Sequence, residues 1–284
     1  MELPLDPGRR ASAAACLVAA AVLLVACSSS DTPTRSTTTT RRPHTTTTVA
    51  SSPSSTDRHS LQPASAAPGP WKLRFHDEFD GTSIDLDKWR PNWLASDDDA
   101  ITKPVNKLEV SCYDPAQVAV SDGTLQLSAV RRSCTAVNGV TYGAASGLIE
   151  SDDHYTFTHG YLEARMWLDG STTWPAFWAD GTGDWPTTGE LDVMENLDGE
   201  LCWHFHSPNN GPGGCATTPP SGWHTFGADW ERGSVTFFYD GVQVGRITKG
   251  ITSSPMFVIV NLGLKSVSSA PANIQVDWVR VWQH

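Results

Sequence analysis

Gly160-Tyr161-Leu162-Glu163-Ala164-Arg165-Met166-Trp167-Leu168 alternates with a period of two. Leu162, Ala164, Met166 and Leu168 fall on one face, and Tyr161, Glu163, Arg165 and Trp167 on the other, which is the pattern of a strand with one apolar side. The second side mixes charge with aromatic surface and suits either a solvated face or the wall of a cleft. Similar β-branched and aromatic runs recur at Gln117–Val120, Thr124–Val130, Glu190–Glu195, Cys202–His206, Val235–Tyr239, Met256–Leu262 and Ile274–Trp282. Gly, Pro, Asn and Asp separate them, and Ser121-Asp122-Gly123 and Asp240-Gly241 are hairpin signals. No stretch after residue 70 sustains a helical period for three turns. The expected class is all-β, a two-sheet sandwich or jelly roll.

The strands occupy only part of the 284 residues. Arg9 and Arg10 precede an apolar run from Ala11 to Ala26, shorter than the ~20 residues of a spanning helix, so residues 1–26 read as a signal peptide. Leu24-Val25-Ala26-Cys27 resembles the lipobox of bacterial lipoproteins, which implies lipidation of Cys27 and a membrane contact through that lipid alone. From Ser28 to about Pro68 the chain is Ser, Thr and Pro with almost no large apolar residue, as in Thr37–Thr40 and Thr45–Thr48. Such a segment cannot bury a core, and residues 27–68 are expected to be a lipidated cysteine on a disordered spacer with a reach of about 35 Å. Residues 69–284 then form one domain, and the protein is expected to be exported and held at the outer face of the bacterial membrane or in the envelope.

Charge and cysteine content fit that division. The chain has 31 acidic and 20 basic side chains and a net charge of -11. Setting aside the two acids and two arginines of residues 1–26, and the two aspartates and four arginines of 28–68, leaves 27 acids and 14 bases in the domain. An acidic surface disfavours nucleic acid and favours neutral partners. All 12 tryptophans lie in this domain, beginning with Trp71. With Cys16 in the leader and Cys27 assigned to lipid, Cys112, Cys134, Cys202 and Cys215 remain, in a spacing that is not a zinc pattern. Of three connectivities, Cys112 with Cys134 and Cys202 with Cys215 is expected, because each closes a short loop in an oxidising compartment.

Glu190-Leu191-Asp192-Val193-Met194-Glu195 crowds three acids into one short strand. Glu190 and Asp192 share a face, but in a regular strand Glu195 would point away. One extra residue at Val193-Met194, a β-bulge, returns Glu195 to the same face and leaves Leu191 and Val193 toward the core. The two glutamate α-carbons are then roughly 13 Å apart, and side chains leaning together can reach the ~5–5.5 Å carboxyl separation of a retaining glycosidase. In that chemistry one carboxylate attacks the anomeric carbon and the other donates and later accepts a proton. Asp192 between them supplies like charge and a hydrogen-bond partner, helping to hold one group ionised and another protonated. An acidic edge strand or a cation site is the plainer alternative.

The chain resembles glycoside hydrolase family 16 from about Phe75 to Trp282. The motifs are Asp77-Glu78-Phe79-Asp80-Gly81 with Trp89, Asp122-Gly123-Thr124-Leu125, Gly160-Tyr161-Leu162-Glu163-Ala164-Arg165, Trp174-Pro175-Ala176-Phe177-Trp178 and Gly189 to Asn196. Further on come Trp223-His224-Thr225-Phe226 with Trp230, Tyr239-Asp240-Gly241 and Asp277-Trp278-Val279-Arg280-Val281-Trp282. The resemblance implies a concanavalin-like β-jelly roll with a concave cleft, a retaining mechanism without a catalytic cofactor, Glu190 as nucleophile, Asp192 as its assistant and Glu195 as acid/base. The five-residue separation of the glutamates is similar to the laminarinase-like branch and implies an endo-acting enzyme on β-1,3-glucan. Alternatives are a transglycosylase on an envelope glycan and a non-catalytic glycan-binding module, the latter disfavoured because binding alone needs no crowded carboxylates.

Trp174 and Trp178, with Trp185, are expected to stack on sugar rings. His206-Ser207-Pro208 resembles the family's segment after the catalytic strand and makes His206 a cleft residue, while Asn209–Cys215 departs from it. Arg165 is expected either to contact sugar or to form an ion pair. His204-x-His206 could suggest a metal, but no glutamate follows at the spacing such sites use. Glu78, the backbone of Gly123 and Asp277 match positions where many relatives hold a structural calcium, against the alternative of a capped turn and a surface acid. The protein is expected to be a monomer with a polysaccharide as its partner.

Overall fold

The computed structural model describes residues 62–63, 70–209 and 213–284. The expected signal peptide, Cys27 and the linker, apart from Gln62 and Pro63, lie outside the described residues. In chain order the strands are β1 (Lys72–Asp77), β2 (Ser111–Tyr113), β3 (Val118–Ser121), β4 (Thr124–Val130), β5 (Cys134–Thr135), β6 (Thr141–Tyr142), β7 (Ala144–Ser146), β8 (Leu148–Glu150) and β9 (Gly160–Asp169). They continue with β10 (Trp174–Gly181), β11 (Glu190–Leu197), β12 (Glu200–His206), β13 (Gly214–Ala216), β14 (Ser221–Glu231), β15 (Ser234–Tyr239), β16 (Val242–Ile247), β17 (Met256–Gly263) and β18 (Ala272–Gln283). The only helical turns among the described residues are two short 3₁₀ pieces, Pro115–Gln117 and Val267–Ser269.

Two sheets face each other in a β-jelly-roll sandwich. The larger runs β16-β15-β14-β9-β18-β4-β7-β2, with β1 added on β18 and β3 on β4. The smaller runs β13-β12-β11-β10-β17-β8. Between them Leu162, Ala164, Met166 and Leu168 of β9 meet Phe177 and Ala179 of β10, Leu191, Val193 and Met194 of β11 and Val258, Val260 and Leu262 of β17, all essentially without solvent exposure. Burying these large side chains, at about 25 cal/mol per Å² of apolar surface, is the main force closing the sandwich.

Period-two patterning therefore places the apolar face of β9 as expected. Its other face does not form a cleft wall, however. Tyr161 packs with Trp71 and Trp282 on the outside of the larger sheet, and Cβ-less Gly227 on the neighbouring strand makes room for the Tyr161 ring. The cleft belongs to the outer face of the smaller sheet, where Tyr113, Leu148, Ala176, Trp178, Phe257 and Ile259, with Trp93 and Val105, form a second apolar layer. Both expected disulfides are present: Cys112–Cys134 joins β2 to β5, and Cys202–Cys215 bridges directly opposed positions of β12 and β13.

Candidate active site

The cross-strand register of the smaller sheet lines up its outward residues in rows. His206, Glu190, Asp180 and Phe257 form one row across β12, β11, β10 and β17. His204, Asp192, Trp178 and Ile259 form the next, and Cys202, Glu195, Ala176 and Asn261 the third. Side chains two residues apart along a strand lie on the same face, so these alternate rows share one side of the sheet. Three acids from β11 thus descend the middle of the face, with histidines on one flank and tryptophan on the other.

Glu195 joins this face because β11 is bulged. Asp192 opposes His204 and Glu195 opposes Cys202, so three steps along β11 match two along β12. The same mismatch appears against β10, where Trp178 opposes Asp192 and Ala176 opposes Glu195. Val193 and Met194 both turn into the core and are fully buried. Tyr239 anchors the distortion from the opposite sheet, its hydroxyl donating to the Val193 carbonyl at 3.0 Å or to the Cys202 carbonyl at 2.9 Å.

Glu190 and Glu195 sit at the floor of a cleft of about 1030 Å³, lined by Trp174, Trp178, Trp185, His204, His206 and Trp203 among others, and Asp192 lines a small pocket adjoining it. Trp174 donates its indole N–H to Glu195 Oε1 at 2.9 Å, and Trp185 donates to Glu190 Oε2. Trp185 is 58% exposed, whereas Trp178 is buried, its N–H fixed on Asn261 Oδ1 at 2.7 Å and its ring beside Trp93. Of the three, Trp185 offers the most open aromatic surface, Trp174 has Lys265 over its ring, and Trp178 forms a rigid part of the wall. His206 Nε2 lies 3.1 Å from Asp192 Oδ2.

Burial and crowding set the electrostatics. Burial, then the charge of Asp192, raises Glu190 well above the usual carboxylate range, opposed by His206 and the Trp185 N–H. Asp192 is raised by burial and by Glu195, while a hydrogen bond with Glu190 opposes the shift. Burial also raises Glu195, against the Trp174 N–H, His206 and Lys265. Asp180, burial first, is pushed up to about 6. Like charges packed this closely cannot all ionise, so near neutral pH the cluster retains protons that it can share and donate.

Arg165 is not part of this site. It belongs to β9 in the larger sheet, donates to Asp277 at 2.6 Å and stacks over Trp223 at 4.5 Å, so its ion pair, not sugar contact, is what the fold supports. The expected calcium residues also have other partners. Arg280 takes both oxygens of Glu78 at 3.0 and 2.7 Å, and Arg165 takes one of Asp277. A calcium ion takes six to eight oxygen ligands, and one held by Glu78, the Gly123 backbone and Asp277 would have to displace these guanidinium contacts.

Several cleft residues carried no sequence signal. Asp180 and Asn261 come from β10 and β17, and Asn261 receives Trp178 and donates to Tyr113 at 2.8 Å. Tyr113 in turn donates to the buried carboxylate of Glu109. Their cross-strand pairing, and not any local motif, brings them beside the acids.

Comparison with known proteins agrees with this architecture. Residues 115–207 match the family model described as XgeA-like, catalytic GH16 domain. That segment contains β11 and its bulge. The chain is 27% identical over 279 residues to glucan endo-1,3-beta-glucosidase A1 of Niallia circulans, covering 81% of this chain and 41% of that protein. It is 24% identical over 188 residues to endo-1,3-1,4-beta-glycanase ExsH of Rhizobium meliloti (strain 1021), covering 58% of this chain and 39% of that one. The chain thus spans about two fifths of the length of these curated relatives. The X-ray structure of endo-beta-1,3-glucanase from Pyrococcus furiosus superposes with a TM-score of 0.65 at 25% identity, over 75% of this chain and 94% of that chain.

Proposed function

We propose that this chain is a family 16 glycoside hydrolase, a retaining endo-glycosidase that cleaves β-linked polysaccharide, with β-1,3-glucan as its substrate. The observation that carries this is the bulged row Glu190, Asp192 and Glu195, with both glutamates at the floor of an aromatic cleft. Similarity to two curated endo-glycanases that name 1,3-β linkages supports the substrate.

The steps follow from the side chains. Glu190 attacks the anomeric carbon while Glu195 protonates the departing glycosidic oxygen, giving a glycosyl ester on Glu190. Glu195, now ionised, then takes a proton from water, which attacks the ester and restores Glu190. Asp192 shares its proton with Glu190, so that the single charge of the pair rests on the attacking oxygen before reaction. Trp174 and Trp185 hold both glutamates in place through their N–H groups and offer ring faces to sugar, with Trp178 and His206 along the wall. Lipidation of Cys27 at the lipobox-like Leu24–Cys27 would tether the domain through the Ser/Thr/Pro-rich spacer to the outer face of the membrane.

The test is hydrolysis of laminarin by the full chain and by Glu190→Gln, followed by reducing-end release, oligosaccharide sizing and the anomeric configuration of fresh product. Short oligosaccharides released with retention by the wild type only are expected. Activity retained in the variant would overturn the mechanism, and activity on another β-glycan but not on laminarin would overturn the substrate.

A further inference from the structure

The pair His204-x-His206 lacks a third ligand in sequence, but the fold supplies one from the neighbouring strand. Asp192 of β11 stands opposite His204 of β12. His204 Nδ1 is 3.0 Å from His206 Nε2, which is itself 3.1 Å from Asp192 Oδ2, and one ligand atom from each of the three residues lies within 4.8 Å of the other two. Two ligands of a metal ion bound at about 2.1 Å are separated by about 3.0 Å at right angles and by about 3.4 Å in a tetrahedron. The two measured edges fall in that range.

Asp192 is only 2% exposed, and its Oδ2 makes no hydrogen bond despite its closeness to His206. Its contact with the imidazole is an ion-pair distance without a hydrogen bond, which leaves this oxygen's lone pairs open to a ligand. Both histidines line the open cleft, which leaves the remaining coordination positions facing solvent. Glu190 and Asp180 in the adjoining row add negative charge, and a dication relieves the repulsion that burial imposes on this cluster.

We propose that Asp192, His204 and His206 bind one zinc-class transition-metal dication, and that occupancy stops turnover by committing to the ion the Asp192 carboxyl that otherwise assists Glu190. Two imidazoles and one carboxylate suit zinc, cobalt, nickel and copper and do not suit calcium or magnesium. Binding places each neutral imidazole's proton on the ring nitrogen turned away from the ion and draws the three side chains onto it. The inhibitory half rests on the glycosidase reading above, whereas the binding half does not.

The site is tested by titrating cobalt(II) chloride into the untagged full chain with free thiols alkylated, following visible d–d absorption and calorimetric stoichiometry. One equivalent is expected, with binding displaced by zinc and weakened about tenfold or more in both His204→Gln and His206→Gln. His224→Gln, remote on β14, should bind as wild type does. Circular dichroism of each variant establishes folding, and two independent histidine variants guard against one that fails. Unchanged cobalt affinity in both folded variants, or no saturable binding by wild type, would overturn the site. Cobalt binding without loss of laminarin hydrolysis would overturn the inhibitory role, and binding by a protein inactive on every glycan would separate the site from the proposed enzyme.

Discussion

The indole N–H of Trp174 lies 2.9 Å from Glu195 Oε1, so the same residue that offers a ring to the cleft also sets the proton affinity of the proposed acid. Burial raises Glu195, and the Trp174 hydrogen bond, which stabilises the ionised form, pulls it back. In Trp174→Phe that restraint is lost and Glu195 holds its proton to higher pH. The alkaline limb of the kcat/KM profile should move up by about one pH unit, since a hydrogen bond to a charged group contributes about 1.5 kcal/mol. A profile that falls in amplitude without moving would assign Trp174 to sugar binding alone.

Leaving-group chemistry separates the two glutamates. In Glu195→Gln the departing oxygen receives no proton, and laminarin hydrolysis should fall about 10²- to 10⁴-fold. An aryl glycoside with an acidic phenol needs no such help, so formation of the glycosyl ester should survive and appear as a burst of phenolate. Glu190→Gln should show no burst with either substrate. Rapid-mixing absorbance measurements distinguish the outcomes, and a burst in Glu190→Gln would move the nucleophile elsewhere.

On the other sheet, Glu78 and Arg280 form a buried bidentate pair. Burial alone would raise Glu78, but the nearby His76 and the hydrogen bonds and charge of Arg280 outweigh it and hold the carboxyl at about 2. A carboxylate lowered in the fold stabilises above its unfolded value of 4.5, and this contribution is lost as pH falls toward 2. Arg280→Met should destabilise by about 3 kcal/mol at pH 7, because it strands a buried charge. Since Arg280 and Arg165 already neutralise Glu78 and Asp277, calcium or a chelator should leave Tm unchanged, and a calcium-dependent rise in Tm would contradict this account.

What the sequence made legible and what it hid have a common cause. The apolar alternation of β9, the β11 acids and the need for a bulge at Val193-Met194 are local patterns, and all of them recur in the fold. The strand β10 was obscured by Pro175, which a central strand tolerates only near its end, and β14 by its glycines and His224. Alternation left open whether Arg165 contacts sugar or forms an ion pair, because it separates two faces without saying which sheet covers which. Asp180, Asn261 and the third ligand beside His204 and His206 depend on cross-strand register between segments up to tens of residues apart, and no window of sequence contains that information.

The chain Glu109–Tyr113–Asn261–Trp178 carries a buried carboxyl to the wall of the cleft, and it predicts an unusual pH response of stability. Tyr113 donates to Glu109 Oε2, the Asn106 N–H donates to Oε1 at 2.8 Å, and Asn261 connects Tyr113 to Trp178. Burial, outweighing these hydrogen bonds, pushes Glu109 up to about 7. A carboxyl raised in the fold from 4.5 to about 7 stabilises fully below the lower value, and this stability is lost as pH rises through the upper one. The loss amounts to about 3 kcal/mol at most, from roughly 2.5 units at 1.36 kcal/mol each. Glu109→Gln keeps the shape and an acceptor for Tyr113 but cannot ionise, so its Tm should exceed that of the wild type at pH 8 and match it near pH 4.5. Denaturation of both proteins across that interval measures the difference directly. A wild-type advantage at pH 8 would mean that the ionised carboxylate, held by the Tyr113 hydroxyl and the Asn106 N–H, is the form on which the cleft wall depends.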